Sequence, residues 1–289
     1  LNSEFIIYQK ISRFIRNKKC YISPYKQGTP EWLAERVGLI TGSVEGSIII
    51  YANTHEKKQI LAEQICGVRP ILIKDEYKER VSFGTLSENN LRQDFENKKG
   101  FKVHELGFCK LLENPSIFGV SVDGILENGD IIEIKTSQKS IPKKQYANFT
   151  EIQESHIYQM QQGMAILGAR NCHYWFYSRS DNATYHRLVP FDQTKWLFIR
   201  QRATIFYHEY MVPILININS LKINIPIISN IPNISASKNI TIENEEHKIL
   251  KDDEQKNDTI MKIDDPINAL SSDKDLQIPN ISSIYLTEN

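Results

Sequence analysis

Cysteine is scarce in this chain. Four occur in 289 residues, Cys20, Cys66, Cys109 and Cys172, and no two form a CxxC pair. That spacing excludes a zinc ribbon, a disulfide framework and a cysteine-held iron–sulfur cluster, and it fits a reducing compartment. Long hydrophobic runs are also missing: stretches such as "YMVPILI" are too short to span a bilayer. The N-terminal "LNSEFIIYQKISRFIRNKK" has no signal-peptide core, so the expectation is an intracellular chain with no membrane partner. Net charge is absent too, because 35 basic residues balance 35 acidic ones. The balance is uneven along the chain. Residues 221–289 hold seven Lys/Arg and twelve Asp/Glu, a balance of −5, which leaves +5 on residues 1–220. A mildly basic body is compatible with a polyanionic partner but does not require one.

What is present has the composition of an ordinary globular protein. "TPEWLAERVG" predicts a helix with Thr29 as N-cap, Pro30 at the first position and Gly38 as the stop. A second helix is expected to begin at Ser43, a third to run from Thr54 to Gly67, and an amphipathic one to cover "GTLSENNLRQDFENKKG" (84–100). A strand near 101–110 and a hairpin at 119–137 follow. Next come a long helix over 150–168, an aromatic hairpin turning at Asp181-Asn182, and a closing helix. This order predicts an α/β domain, a mixed β-sheet flanked by helices, over residues 1–216. Residues 217–289, rich in Ile, Asn, Lys and Asp without sustained period, read as a linker and a poorly ordered acidic tail.

The chemistry concentrates in "GVSVDGILENGDIIEIKTS" (119–137). Alternation places Ile132 and Ile134 on one face of the second strand, Glu133 and Lys135 on the other. The position of Asp123 depends on the turn. A two-residue Asn128-Gly129 loop pairs Gly124 with Glu133 and sends Asp123 to the opposite face. A three-residue loop, Glu127-Asn128-Gly129 with Gly129 left-handed, pairs Leu126 with Asp130 and Asp123 with Glu133. Two opposed carboxylates lie with Cβ atoms roughly 4.5–5.5 Å apart and repel, a penalty that a divalent cation removes. Hard oxygen ligands suit Mg²⁺ or Mn²⁺. Lys135 would add a cation for a phosphoryl transition state. The plainer alternative is a solvated outer strand face, and the residues alone leave the two open.

The spacing D-x9-E-x-K resembles the PD-(D/E)XK nuclease core. Five segments, two of them around that core, carry the likeness in order: "QGTPEWLAERVGLITGS", "FGTLSENNLRQDF", "FGVSVDGIL", "IIEIKTS" and "HIYQMQQGMAILGARNCHYWFY". Together they resemble the lambda-type exonuclease and YqaJ-like viral recombinase branch of that superfamily, over about Gln27 to Tyr177. Val122 departs from the family's proline before the aspartate. The resemblance implies a restriction-endonuclease-like core. It implies Asp123 and Glu133 as metal ligands, Lys135 as the catalytic lysine, and Glu88 as an additional acidic residue supporting the metal. Gln161 is preferred over Gln159 as the glutamine reaching the site from the long helix. Arg36, Ser43 and Ser121 match positions that hold a phosphate of the DNA end, which suits a guanidinium fork, a hydroxyl and a helix start. The basic "SQKSIPKKQ" (137–145) reads equally as a DNA path or a solvated loop.

The function so implied is a Mg²⁺-dependent exonuclease digesting double-stranded DNA from an end in viral or phage recombination. Its setting would be the host nucleus or cytoplasm, its partner a single-strand annealing protein, and its assembly a trimer or a monomer. The alternatives are an endonuclease or RNA-degrading alkaline nuclease of the same fold, and a nucleic-acid-binding module without catalysis.

Overall fold

The structure, a computed structural model, describes residues 11–71, 75–137 and 152–221. The basic stretch 138–145 and the acidic tail from 222 onward lie outside the described residues.

Local signals place the helices. Helix α1 (Pro30–Arg36) begins where the Thr29 hydroxyl accepts from the Trp32 amide. The next helix, α2 (Gly42–Gly46), starts after Thr41 rather than at Ser43, and continues as a π-helical turn over Ser47–Tyr51. Its glycines explain the shift. A Cβ on Gly42 or Gly46 would meet Gln159 or Ser155, so the segment is drawn against helix α5 (Glu154–Leu167). Helix α3 (His55–Ile65) is capped by Thr54, as expected. Helix α4 (Asp75–Lys99) begins nine residues before the predicted Gly84. Asp192 caps helix α6 (Gln193–Phe206), and a second π-helical turn leads to α7 (Val212–Leu221). The predicted boundary at 217 therefore falls inside a helix.

Nine strands among the described residues form two mixed sheets where one was expected. The first sheet has β1 (Cys20–Ile22), β4 (Cys109–Leu111), β5 (Phe118–Val120) and β2 (Ile40–Thr41), in that order. The second runs β3 (Val103–His104), β6 (Gly124–Leu126), β7 (Ile131–Ser137), β8 (Asn171–Ser178) and β9 (Ala183–Pro190). The single strand expected over 101–110 is thus two short strands, β3 and β4, serving different sheets. Between them, a side chain at Gly107 would collide with the Ser23 carbonyl, and this close backbone contact turns the chain.

The second sheet is covered on both faces. Ile132, Ile134 and Trp175 join Leu91, Phe95, Val103 and Leu126 in a core beneath α4. On the other face Ile131 meets Gly163 of α5. The parallel β7–β8 pair is therefore buried between helices, which accounts for its near-continuous apolar and aromatic sequence.

Candidate active site

The hairpin β6–β7 sets the register. Gly124 pairs with Ile132 and Ile125 with Ile131, and the Leu126 amide donates to the Asp130 carbonyl at 2.8 Å. The loop therefore holds three residues, Glu127-Asn128-Gly129. Gly129 is left-handed, with φ of 80°. The next pair in this register is Asp123 opposite Glu133.

Asp123 lies at the foot of β6 and its Oδ2 accepts from the Ile134 amide at 2.6 Å. Glu133 is buried, 2% exposed, and its Oε1 lies 2.6 Å from the Lys135 ammonium. Lys135 Nζ also donates to Gln159 Oε1 at 3.1 Å. Helix α5 thus delivers Gln159 to the polar face of β7.

Gln161 does not join it. Its Nε2 donates to the Pro190 carbonyl at 3.0 Å and its Oε1 accepts from the Asp192 amide at 2.8 Å. Two helix positions apart, the side chains diverge by about 200°. The preference for Gln161 is corrected on this geometry: Gln161 pins β9 to the start of α6, and Gln159 meets Lys135.

Glu88 approaches from α4. Arg92, one turn on, donates to Glu88 Oε1 at 2.7 Å, to Glu105, and through Nε to the Asp123 carbonyl at 3.0 Å. This buried arginine ties α4 to the foot of β6, a role that motif matching missed. Its signal was the i,i+4 pairing with Glu88.

The electrostatics are those of crowded carboxylates. Burial, the Asp123 charge and Glu105 push Glu88 up to about 7 against the pull of Arg92. Burial also pushes Glu133 to about 7, with Lys135 pulling it down and the charges of Asp123 and Glu88 pushing it up. Asp123 is raised by burial against the pull of Lys135, the Ile134 amide and Arg92. For Lys135, burial alone lowers the pKa, but Glu133 and Asp123 outweigh it and the net direction is up. Lys135 is therefore an ammonium at neutral pH, a donor and a charge rather than a base. Among the described residues no three His, Cys, Asp or Glu side chains are gathered into a ready-made cation cage. Instead, Lys135 and Arg92 supply the positive charge.

A second pair was also missed. On the polar face of β8, Tyr174 sits beside Glu133 in register, and its hydroxyl lies 2.9 Å from His156 Nδ1. Burial and the Lys135 charge hold His156 down to about 3, so the imidazole is neutral.

The phosphate-binding candidates lie by the first sheet. Arg36 donates to the Ser121 hydroxyl at 3.3 Å, with its guanidinium carbon 4.3 Å from the Trp32 ring centroid. Burial lowers its pKa to about 10. Ser43 is exposed, its hydroxyl 3.3 Å from that of Thr41. Thr41 pairs with Gly119, so Ser43 and Ser121 share one end of this sheet. The structure thus joins Arg36 to Ser121 and leaves Ser43 as their neighbour along that edge.

Residues 31–170 match the family model of the YqaJ-like viral recombinase domain. The chain is similar in fold to LHK-Exo, an alkaline exonuclease from Laribacter hongkongensis. The identity is 23% and the TM-score 0.51, over 67% of this chain and 96% of that one. Against LHK-Exo in complex with dAMP the TM-score is 0.53 at 23% identity, over 67% of this chain and 98% of that one. No curated protein matches the chain. No helix among the described residues is long and apolar enough to cross a membrane. Over residues 31–170, just under half of its length, the chain is thus similar to the YqaJ-like viral recombinase domain, on a restriction-endonuclease-like α/β fold.

Proposed function

We propose that the protein is a divalent-metal-dependent nuclease, an exonuclease that hydrolyses double-stranded DNA from an end. The observation that carries this reading is the meeting of Asp123, Glu133, Lys135 and Gln159 on one face of a single hairpin and its covering helix.

The donor set fits a hard cation. Asp123 and Glu133 are opposed and repel each other when ionised, and Mg²⁺ or Mn²⁺ would relieve that repulsion and hold both as carboxylates. These two carboxylates would hold the ion, with Glu88 beside them once Arg92 shares it. Bound there, the cation supplies charge to the phosphoryl oxygen and lowers the pKa of water. Lys135 contributes a fixed ammonium, oriented by Glu133 and Gln159, that offsets negative charge developing on the phosphate or holds the attacking water in line. Gln159, with its carbonyl on Lys135, has an amide without a hydrogen-bond partner among the described residues, and this would orient a substrate oxygen. Arg36 is a desolvated guanidinium, and among the described residues it has no carboxylate partner. A terminal phosphate would supply the missing charge, with Ser121 as a second donor and Ser43 nearby.

Asp123→Ala and Glu133→Ala, assayed with Mg²⁺ on end-labelled linear duplex, closed circles and RNA, test the reading. The expected result is loss of linear-duplex degradation by at least ~10³-fold, of the order that electrostatic catalytic groups supply. Unchanged activity in both variants would sink the site. Cleavage of closed circles by the parent protein would sink the exonuclease assignment.

A further inference from the structure

One pair at the candidate site takes no part in the chemistry above. Tyr174 stands beside Glu133 in the parallel β7–β8 register, on the sheet face that carries Lys135. Its hydroxyl lies 2.9 Å from Nδ1 of His156 on α5. His156 precedes Gln159 by three positions, about 60° apart around the helix, so the two side chains share the face that α5 turns to β7. Gln159 reaches Lys135 at 3.1 Å, and the Lys135 charge is felt at His156. The half-buried imidazole is therefore a wall of the carboxylate–lysine site, not a part of the core behind it.

The pair has a direction. The ring is neutral, so it carries a single N–H. A phenol is a strong donor and a poor acceptor, whereas a bare imidazole nitrogen accepts well. The Tyr174 hydroxyl therefore donates to Nδ1, and the imidazole proton sits on Nε2. Nε2 lies across the ring from Nδ1 and points away from Tyr174. Among the described residues the ring makes no other hydrogen bond.

We infer that His156 Nε2–H donates to a backbone phosphate of the DNA strand in the site, the phosphate next to the one held at Lys135. The inference rests on the nuclease reading. Three helix positions carry His156 about 4.5 Å beyond Gln159 along the axis of α5. Lys135 and Gln159 take the phosphate being cleaved, which leaves His156 its neighbour. A neutral donor suits this place, because it bonds a phosphate oxygen without setting a second cation beside Lys135. Tyr174 is then a positioning residue, whose hydroxyl fixes the tautomer and the orientation of the ring.

Two substitutions separate this contact from a structural role. His156→Gln places an amide N–H near the position of Nε2 and gives up the acceptor for Tyr174. His156→Asn keeps an acceptor near the position of Nδ1 and gives up the outer donor. On short end-labelled duplexes with Mg²⁺, His156→Asn is expected to raise KM by at least ~10-fold and to change kcat by less than about threefold, as for a lost bond to a charged group that does not react. His156→Gln is expected to keep KM within about threefold of the parent. A purely structural pair predicts the reverse, with the Asn variant like the parent and the Gln variant impaired and less stable in urea. That reverse order, or equal behaviour of the two variants, would overturn the inference. So would ¹⁵N NMR that places the imidazole proton on Nδ1. A parent that cuts no linear duplex with Mg²⁺ refutes the nuclease reading and this contact with it, whereas an active parent with the wrong order of variants refutes the contact alone.

Discussion

Replacing Gly129 by alanine tests the turn on which the site's register depends. Gly129 has φ of 80°, and a Cβ built there would lie 2.8 Å from the Phe14 carbonyl oxygen and 3.2 Å from the Arg16 guanidinium. The left-handed conformation costs an L-residue ~1–2 kcal/mol. Crowding a fixed carbonyl adds ~1–3 kcal/mol, because the backbone oxygen of Phe14 has less freedom to move than a side-chain tip. The expected destabilisation of Gly129→Ala is therefore ~2–5 kcal/mol. Gly100→Ala separates the two contributions: its φ is 72°, but nothing lies within 4 Å of its Cβ position, so only the conformational cost remains. That variant should lose ~1–2 kcal/mol. Urea unfolding followed by fluorescence of the buried Trp32, Trp175 and Trp196 reads both, with an unchanged slope required for the comparison. Equal losses in the two variants would refute the contact at Phe14, and no loss in Gly129→Ala would refute the three-residue turn. A one-residue slip would also move Asp123 off the face of Glu133, so the alanine variant should lose more nuclease activity than its folded fraction explains.

The two glutamines of α5 should behave oppositely. Gln159→Leu should cut turnover with little loss of stability, because its partner is the half-exposed Lys135. Gln161→Leu strands the Pro190 carbonyl and the Asp192 amide, and should cost ~1–3 kcal/mol per group left unsatisfied. Exchanged phenotypes in urea melts and cleavage assays would reverse the assignment. His156 and His186 are held to about 3 and about 4, in both cases chiefly by burial. The unfolded chain takes up these protons near pH 6.5, so their contribution to stability is complete above that pH and is lost as pH falls towards the folded values. NMR titration of the folded protein should show both imidazoles neutral at pH 5.5, and a midpoint near 6.5 for either would contradict its burial.

Much of the fold is legible in local chemistry alone. Thr29 and Thr54 cap helices where expected, because a cap is decided by a few adjacent residues. The hairpin was reducible to two registers, since side chains alternate with period 2 and the loop length sets the parity. Choosing between the registers needed Gly129 in place, held by contacts from Phe14 and Arg16 more than a hundred residues away.

What only the tertiary structure decided has a common cause. A helix presents its side chains around a full turn, and which of them meets a given strand depends on how the helix crosses the sheet. Motif order alone could not separate Gln159 from Gln161; the approach of α5 to β7, with Gly42 and Gly46 allowing α2 to close behind it, turned one to Lys135 and the other to β9. The same holds for Arg92, whose three partners come from three separate segments. The sequence by itself determined which groups could do phosphodiester chemistry. Helix orientation over the sheet determined which of them stand together.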